Sequence, residues 1–144
     1  MRKAFVVICL VLATAAAVSA APAYDESKIQ PFPKTLINAR YVYVASYDGD
    51  QFNPGVSPDD RAAIGNVQAA LRQWGRYAIV NHPQEADMIL LVQSRPSEDV
   101  VAAYDARIPG AIYLWRAMGR DGLQSAQAPL MQQLRQAVEA ADNK

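Results

Sequence analysis

The run DMILLVQS, residues 87–94, is the feature that most restricts what this chain can become. Met88 to Val92 are apolar without interruption, so no alternation gives one wet and one dry face. Eight residues are too few for an isolated buried helix, and a short continuous apolar run reads as a central strand covered on both sides. A central strand needs neighbours, and the rest of the chain is searched for them.

ARYVYVAS (39–46) is rich in valine and tyrosine and predicts a second strand. Side chains alternate across a strand, so Val42 and Val44 share one face and Tyr41 and Tyr43 the other. VSPDDRAAIGNVQAALRQWG (56–75) predicts a helix with marked ends. Ser57 fits the N-cap, Pro58 the first helical position, and Asp59 and Asp60 the positive end of the dipole. Ile64, Val67, Leu71 and Trp74 recur at helical spacing, and Gly75 can take the left-handed conformation that stops the helix. RYAIV (76–80) predicts a short strand, and NHPQEA a turn-rich connection to the central one. VVAAYD (100–105) and AIYLWRA (111–117) read as a hairpin around Ile108-Pro109-Gly110. PLMQQLRQAVEAA (129–141) closes the series as a helix whose stripe is Leu130, Leu134, Val138 and Ala141.

A strand, a helix and a strand in succession make the two strands parallel if they share a sheet. The later short connections imply antiparallel neighbours. The expected fold is an α+β two-layer sandwich, a mixed sheet of four to five strands with two helices mainly on one face. With Val42, Val44, Ile112 and Leu114 toward the helices, Tyr41, Tyr43, Tyr113 and Trp115 face away and form a candidate partner-binding set.

MRKAFVVICLVLATAAAVSA (1–20) has the organisation of a Sec-type signal peptide. Arg2 and Lys3 precede a short apolar core, and Val18 and Ala20 are small residues before a cut. The core is shorter than the ~20 apolar residues of a membrane helix, so no stable membrane insertion is expected after cleavage. Cys9, the only cysteine, lies inside the core, whereas a lipoprotein cysteine follows it. The expected location is the periplasm or the exterior, without disulfides. Residues 21–38, with Pro22, Pro31 and Pro33, read as a linker, and 39–144 as a single domain. The chain has 14 basic and 14 acidic residues, and without Arg2 and Lys3 two more acids than bases. No basic cluster stands out, which argues against nucleic acid as a partner.

Candidate chemistry is sparse. Asp48, Asp50 and Asn53 resemble the start of a Ca²⁺ loop, but Asp59 stands where the closing bidentate glutamate would be. Asp48-Gly49 and Asn53-Pro54-Gly55 also read as plain turns. His82, the only histidine, sits in a turn with no nucleophile elbow. The carboxylate pairs Asp48/Asp50, Asp59/Asp60, Glu85/Asp87 and Glu98/Asp99 each lie beside a turn or an element end. No catalytic residue, metal site or cofactor is therefore assigned. A small hydrolase using His82 or a carboxylate pair, and a cation-stabilised structural protein, are the alternatives to a binding module.

The run LRQWGRYAIVNHPQEADMILLV resembles the helix–strand–strand core of the TolB amino-terminal domain. It is also similar to the periplasmic activators of penicillin-binding proteins and the curli-secretion lipoprotein family. VVAAYDARIPGAIYLW resembles the hairpin that continues that core, and the likeness extends over about residues 39 to 141. It implies a small envelope module acting through protein contacts or self-association, with no catalytic residues to carry over. The lipidated members need a cysteine at the cut, where this chain has Ala21.

The export reading predicts that the mature chain begins at Ala21. Mass spectrometry of the purified protein's N-terminus checks this; a chain that still starts at Met1, or lipid on Cys9, would refute it.

Overall fold

The computed structural model describes residues 30–144 apart from 109 and 111. The signal segment and residues 21–29 lie outside the described residues. Strand β1 is Tyr41–Ser46, helix α1 Pro58–Trp74, strand β2 Ala78–Ile79, β3 Met88–Ser94, β4 Asp99–Asp105, β5 Trp115–Gly119 and helix α2 Pro129–Asp142. They form one five-stranded sheet in the order β2-β1-β3-β4-β5 with both helices on one face, an α+β sandwich.

The apolar run does lie at the centre. β3 pairs parallel with β1, from Val42 opposite Met88 to Ser46 opposite Val92. On its other side it pairs antiparallel with β4, from Met88 opposite Asp105 to Ser94 opposite Asp99. Met88, Leu90 and Val92 are fully buried under the helices, while Ile89, Leu91 and Gln93 on the opposite side are only partly covered. The strand is thus central but not equally covered on its two faces.

β2 corrects one expectation. A short connection to β3 implies antiparallel neighbours, yet both strands pair parallel to β1 on its opposite sides. β2 has only two residues, so the chain climbs little before the turn at Pro83–Glu85 returns it to the starting level of β1. Asp87 closes that return. Its Oδ2 accepts from the amides of Arg40 at 2.8 Å and Tyr41 at 3.0 Å, and its own amide donates to Tyr41 O at 2.9 Å. Those backbone donors hold the Asp87 carboxyl below its ordinary pKa.

α1 starts and stops where its sequence indicates. Ser57 accepts from the Asp60 amide at 3.1 Å, Pro58 opens the helix, and Gly75 takes φ 74° with its amide on Leu71 O. Ile64, Val67 and Leu71 are fully buried, as are Leu130, Leu134 and Val138 of α2. Before α2 the chain crosses Gly122, where any Cβ would overlap the Leu130 side chain.

Two packing expectations change. Phe32 and Leu36, in the segment read as a linker, belong to the core at 4% and 1% exposure. Prolines favour extended backbone, but extended chain can still pack. Trp74, the last residue of the apolar stripe of α1, is only half-buried; its ring meets Tyr77 edge-on at 5.2 Å and Arg135 at 5.9 Å. The fully buried tryptophan is Trp115, which packs against Phe32 and donates from Nε1 to Gln30 O at 2.9 Å.

Trp115→Ala should therefore cost about 3–5 kcal/mol, and Trp74→Ala only about 1–2 kcal/mol. Urea denaturation midpoints of the two variants check the order; equal or reversed losses would show that Trp115 does not anchor the core.

Candidate interaction face

The side of the sheet that carries no helix among the described residues is built by parity. Val42 and Val44 turn toward α1, so Tyr41, Tyr43 and Ala45 point the other way. Pairing places Tyr43, Ile89 and Tyr104 in one row across β1, β3 and β4. Ala45, Leu91, Ala102 and Arg116 form the next row, which reaches β5. Val100 and Met118 follow beside Gln93.

Aromatic groups dominate this face. Tyr47 and Tyr104 join their hydroxyls at 3.2 Å, and Tyr113 meets Tyr104 edge-on at 6.5 Å. The Arg116 guanidinium lies over the Tyr113 ring at 5.7 Å. Tyr43 Oη donates to Asp50 Oδ2 at 3.3 Å. Tyr41 and Tyr47 are each 48% exposed, Met118 47% and Tyr113 39%. Burial, with the Tyr47 hydroxyl second, pushes the Tyr104 phenol up to about 12, and burial next to Asp50 raises that of Tyr43. Both rings stay neutral through any physiological pH and keep a hydroxyl hydrogen to donate.

Of the four residues expected here, Tyr41, Tyr43 and Tyr113 are on the open side and Trp115 is not. The expected strand 111–117 begins only at Trp115, and Trp115 and Ala117 point to the helices. Ile112, expected in the core, is 79% exposed in the connection, and Leu114 is partly buried against the core. Tyr113 reaches the open face because it lies before the regular strand. Tyr47, Tyr104 and Arg116 were not anticipated. Tyr104 could have been, since its parity opposes Val101 and Ala103 within VVAAYD.

The Asp48 loop is a set of turns. Asp50 Oδ1 accepts from the amides of Phe52 at 2.9 Å and Asn53 at 3.1 Å, and Asn53 Oδ1 accepts from Gly55 N at 2.9 Å. Asp48 turns instead to Arg95, 3.7 Å away, so the three side chains do not converge. Among the described residues no group of three or more His, Cys, Asp or Glu side chains could hold a metal ion. His82 is exposed at the start of the Pro83–Glu85 turn, where its backbone oxygen accepts from the Glu85 amide.

A second polar cluster, unannounced by any motif, lies under the carboxyl end of β3. Asp60 Oδ1 accepts from Ser94 N at 2.6 Å, and Arg95 Nη1 meets both Asp60 oxygens at 3.2 and 3.1 Å. Asp99 accepts from Ser94 Oγ at 2.7 Å and Leu123 N at 2.8 Å, and Gln124 Nε2 donates to Ser94 Oγ at 2.6 Å. Every one of these polar groups is bonded to another, so the cluster joins α1, β3, β4 and the loop before α2. The other carboxylates of the sequence pairs are dispersed: Asp59 and Glu85 are exposed, and Asp87 is committed to β1.

No helix among the described residues is long and apolar enough to cross a membrane. Comparison with protein-family models, curated proteins and solved structures returned no match.

The raised Tyr104 pKa has a direct consequence. Folding favours the neutral phenol, so its contribution is complete below the ordinary tyrosine pKa of ~10 and is lost as pH rises toward about 12. A tyrosinate absorbance titration should show Tyr104 ionising last or near last, and Tyr47→Phe should lower its midpoint. An unchanged midpoint in that variant would remove the hydroxyl pair as a cause.

Proposed function

We propose that this protein is an exported, non-enzymatic binding or accessory module of the bacterial cell envelope, and that the helix-free sheet face docks a protein partner. One observation carries the reading: two helices cover only one side of a five-stranded sheet, and the other side is lined by Tyr41, Tyr43, Tyr47, Tyr104 and Tyr113 with Leu91 and Met118. Tyrosine is favoured at interfaces because it offers a large apolar ring and a hydroxyl with little conformational entropy to lose. The signal-like leader and the envelope resemblance support the location.

The test is co-purification of the mature protein with its partner from its own envelope fraction. Tyr41→Ala with Tyr113→Ala should weaken capture by at least about tenfold, while the denaturation midpoint stays close to that of the parent, because both rings are exposed. Capture that is unaffected by the double substitution would refute docking at this face.

A further inference from the structure

We propose that Tyr47 and Tyr104 form an oxidative cross-link site, at which a one-electron oxidant joins the two rings as dityrosine and staples the end of β1 to β4. The inference goes beyond docking and does not depend on it.

The geometry singles out this pair. Among the described residues, Tyr47 and Tyr104 are the only tyrosines whose hydroxyls touch, at 3.2 Å. The ring carbons that couple in dityrosine flank the hydroxyl, so touching hydroxyls leave those carbons a ring rotation apart. Tyr47, 48% exposed in the turn after β1, has room to make that rotation. Tyr104 is held by its strand and by Tyr113, whose ring stands edge-on to it at 6.5 Å. An edge-on pair aims the edge of one ring at the face of the other, so it does not set two hydroxyl-flanking carbons against each other. The contact with Tyr113 instead lets a radical formed at that exposed ring pass inward to Tyr104.

The step balances with an oxidant of one class, a haem peroxidase supplied with hydrogen peroxide. Each phenol gives up one electron and one proton and becomes a tyrosyl radical, whose unpaired electron is shared between the oxygen and the flanking carbons. A carbon–carbon bond then forms between the rings. The hydrogen on each coupled carbon passes to its own ring oxygen, which restores two phenols. The peroxide takes up both electrons and both protons and leaves as two waters, so the chain loses two hydrogens in all. Cys9 is the only cysteine, so a chain that begins at Ala21 has no thiol to intercept the radical and no disulfide to brace the fold. The bond reaches across β3, which lies between β1 and β4, and joins residues 57 apart in sequence. Closing so long a loop restricts the unfolded chain as a disulfide does.

The test treats the purified protein, at low micromolar concentration, with a haem peroxidase and hydrogen peroxide. N-acetyltyrosine oxidised in parallel checks the oxidant. The expected product is a monomer lighter by two hydrogens, with dityrosine fluorescence and a peptide pair joined through positions 47 and 104. Tyr47→Phe should abolish the monomer's dityrosine, and Tyr41→Phe should leave it unchanged; both substitutions keep the ring at a half-exposed position. The cross-linked monomer should unfold at a higher urea midpoint than the untreated one. Dityrosine that joins only separate chains, that persists in Tyr47→Phe, or that links Tyr104 to Tyr113 overturns the proposal. So does its absence from the parent when N-acetyltyrosine reacts, or an unchanged midpoint of the cross-linked chain. Partner capture by the Tyr41 and Tyr113 variant is read separately, so failure of docking and failure of the cross-link are told apart.

Discussion

The structure depends on β3. It is the one strand with long partners of both polarities, parallel to β1 and antiparallel to β4, and it carries Met88, Leu90 and Val92 into the common core. Before it, β1, β2 and α1 form a parallel unit, and after it β4, β5 and α2 form an antiparallel one. Removing its apolar residues would separate the two halves rather than loosen one of them. The polar cluster at its carboxyl end serves the same joint. Asp60 of α1 and Asp99 of β4 are both buried, and each bonds Ser94. A buried carboxylate is costly unless its hydrogen bonds are made, so this cluster fixes how the helix meets the strand end.

Two helices lie over the sheet, and both are committed to the same side. α1 lies over β1 and β3, and α2 over β4 and β5, with Trp115 and Phe32 closing the outer end. The opposite side is therefore the place where tyrosines become available. Small residues there, Ala45 and Ala102, are recessed between larger neighbours, and the rings of Tyr104, Tyr113 and Tyr47 form a connected group. Such a surface is neither a core nor an ordinary solvated face, and that is why interaction is the function proposed for it.

Much of this was legible in the residues. The alternation of YVYV, the unbroken MILLV run and the Ser57, Pro58 and Gly75 signals at the ends of α1 each describe a local preference, and the tertiary fold agrees with all of them. The illegible part begins at Pro109-Gly110. A Pro-Gly pair between two apolar runs looks like a tight hairpin, but regular β5 starts four residues beyond the expected start. A strand's faces follow from its register, and an irregular approach exchanges them, so Trp115 goes to the core and Tyr113 does not. Phe32 and Leu36 were missed because prolines report backbone conformation, not burial. The Asp60–Ser94–Asp99 cluster was missed because its members are up to 39 residues apart in sequence and meet only through the packing of α1 on β3 and the register of β3 with β4.

The central claim is that one sheet face is covered by helices and the other presents its tyrosines. Chemical nitration of the native protein at high dilution, with the modified positions mapped by mass spectrometry, tests it most directly. Tyr41, Tyr47 and Tyr113 should react readily, and Tyr77, 6% exposed beneath Trp74, should react only after unfolding. Protection of Tyr41, Tyr47 and Tyr113 to the same degree as Tyr77 would contradict the account, because it would mean that this face is already covered within a single chain.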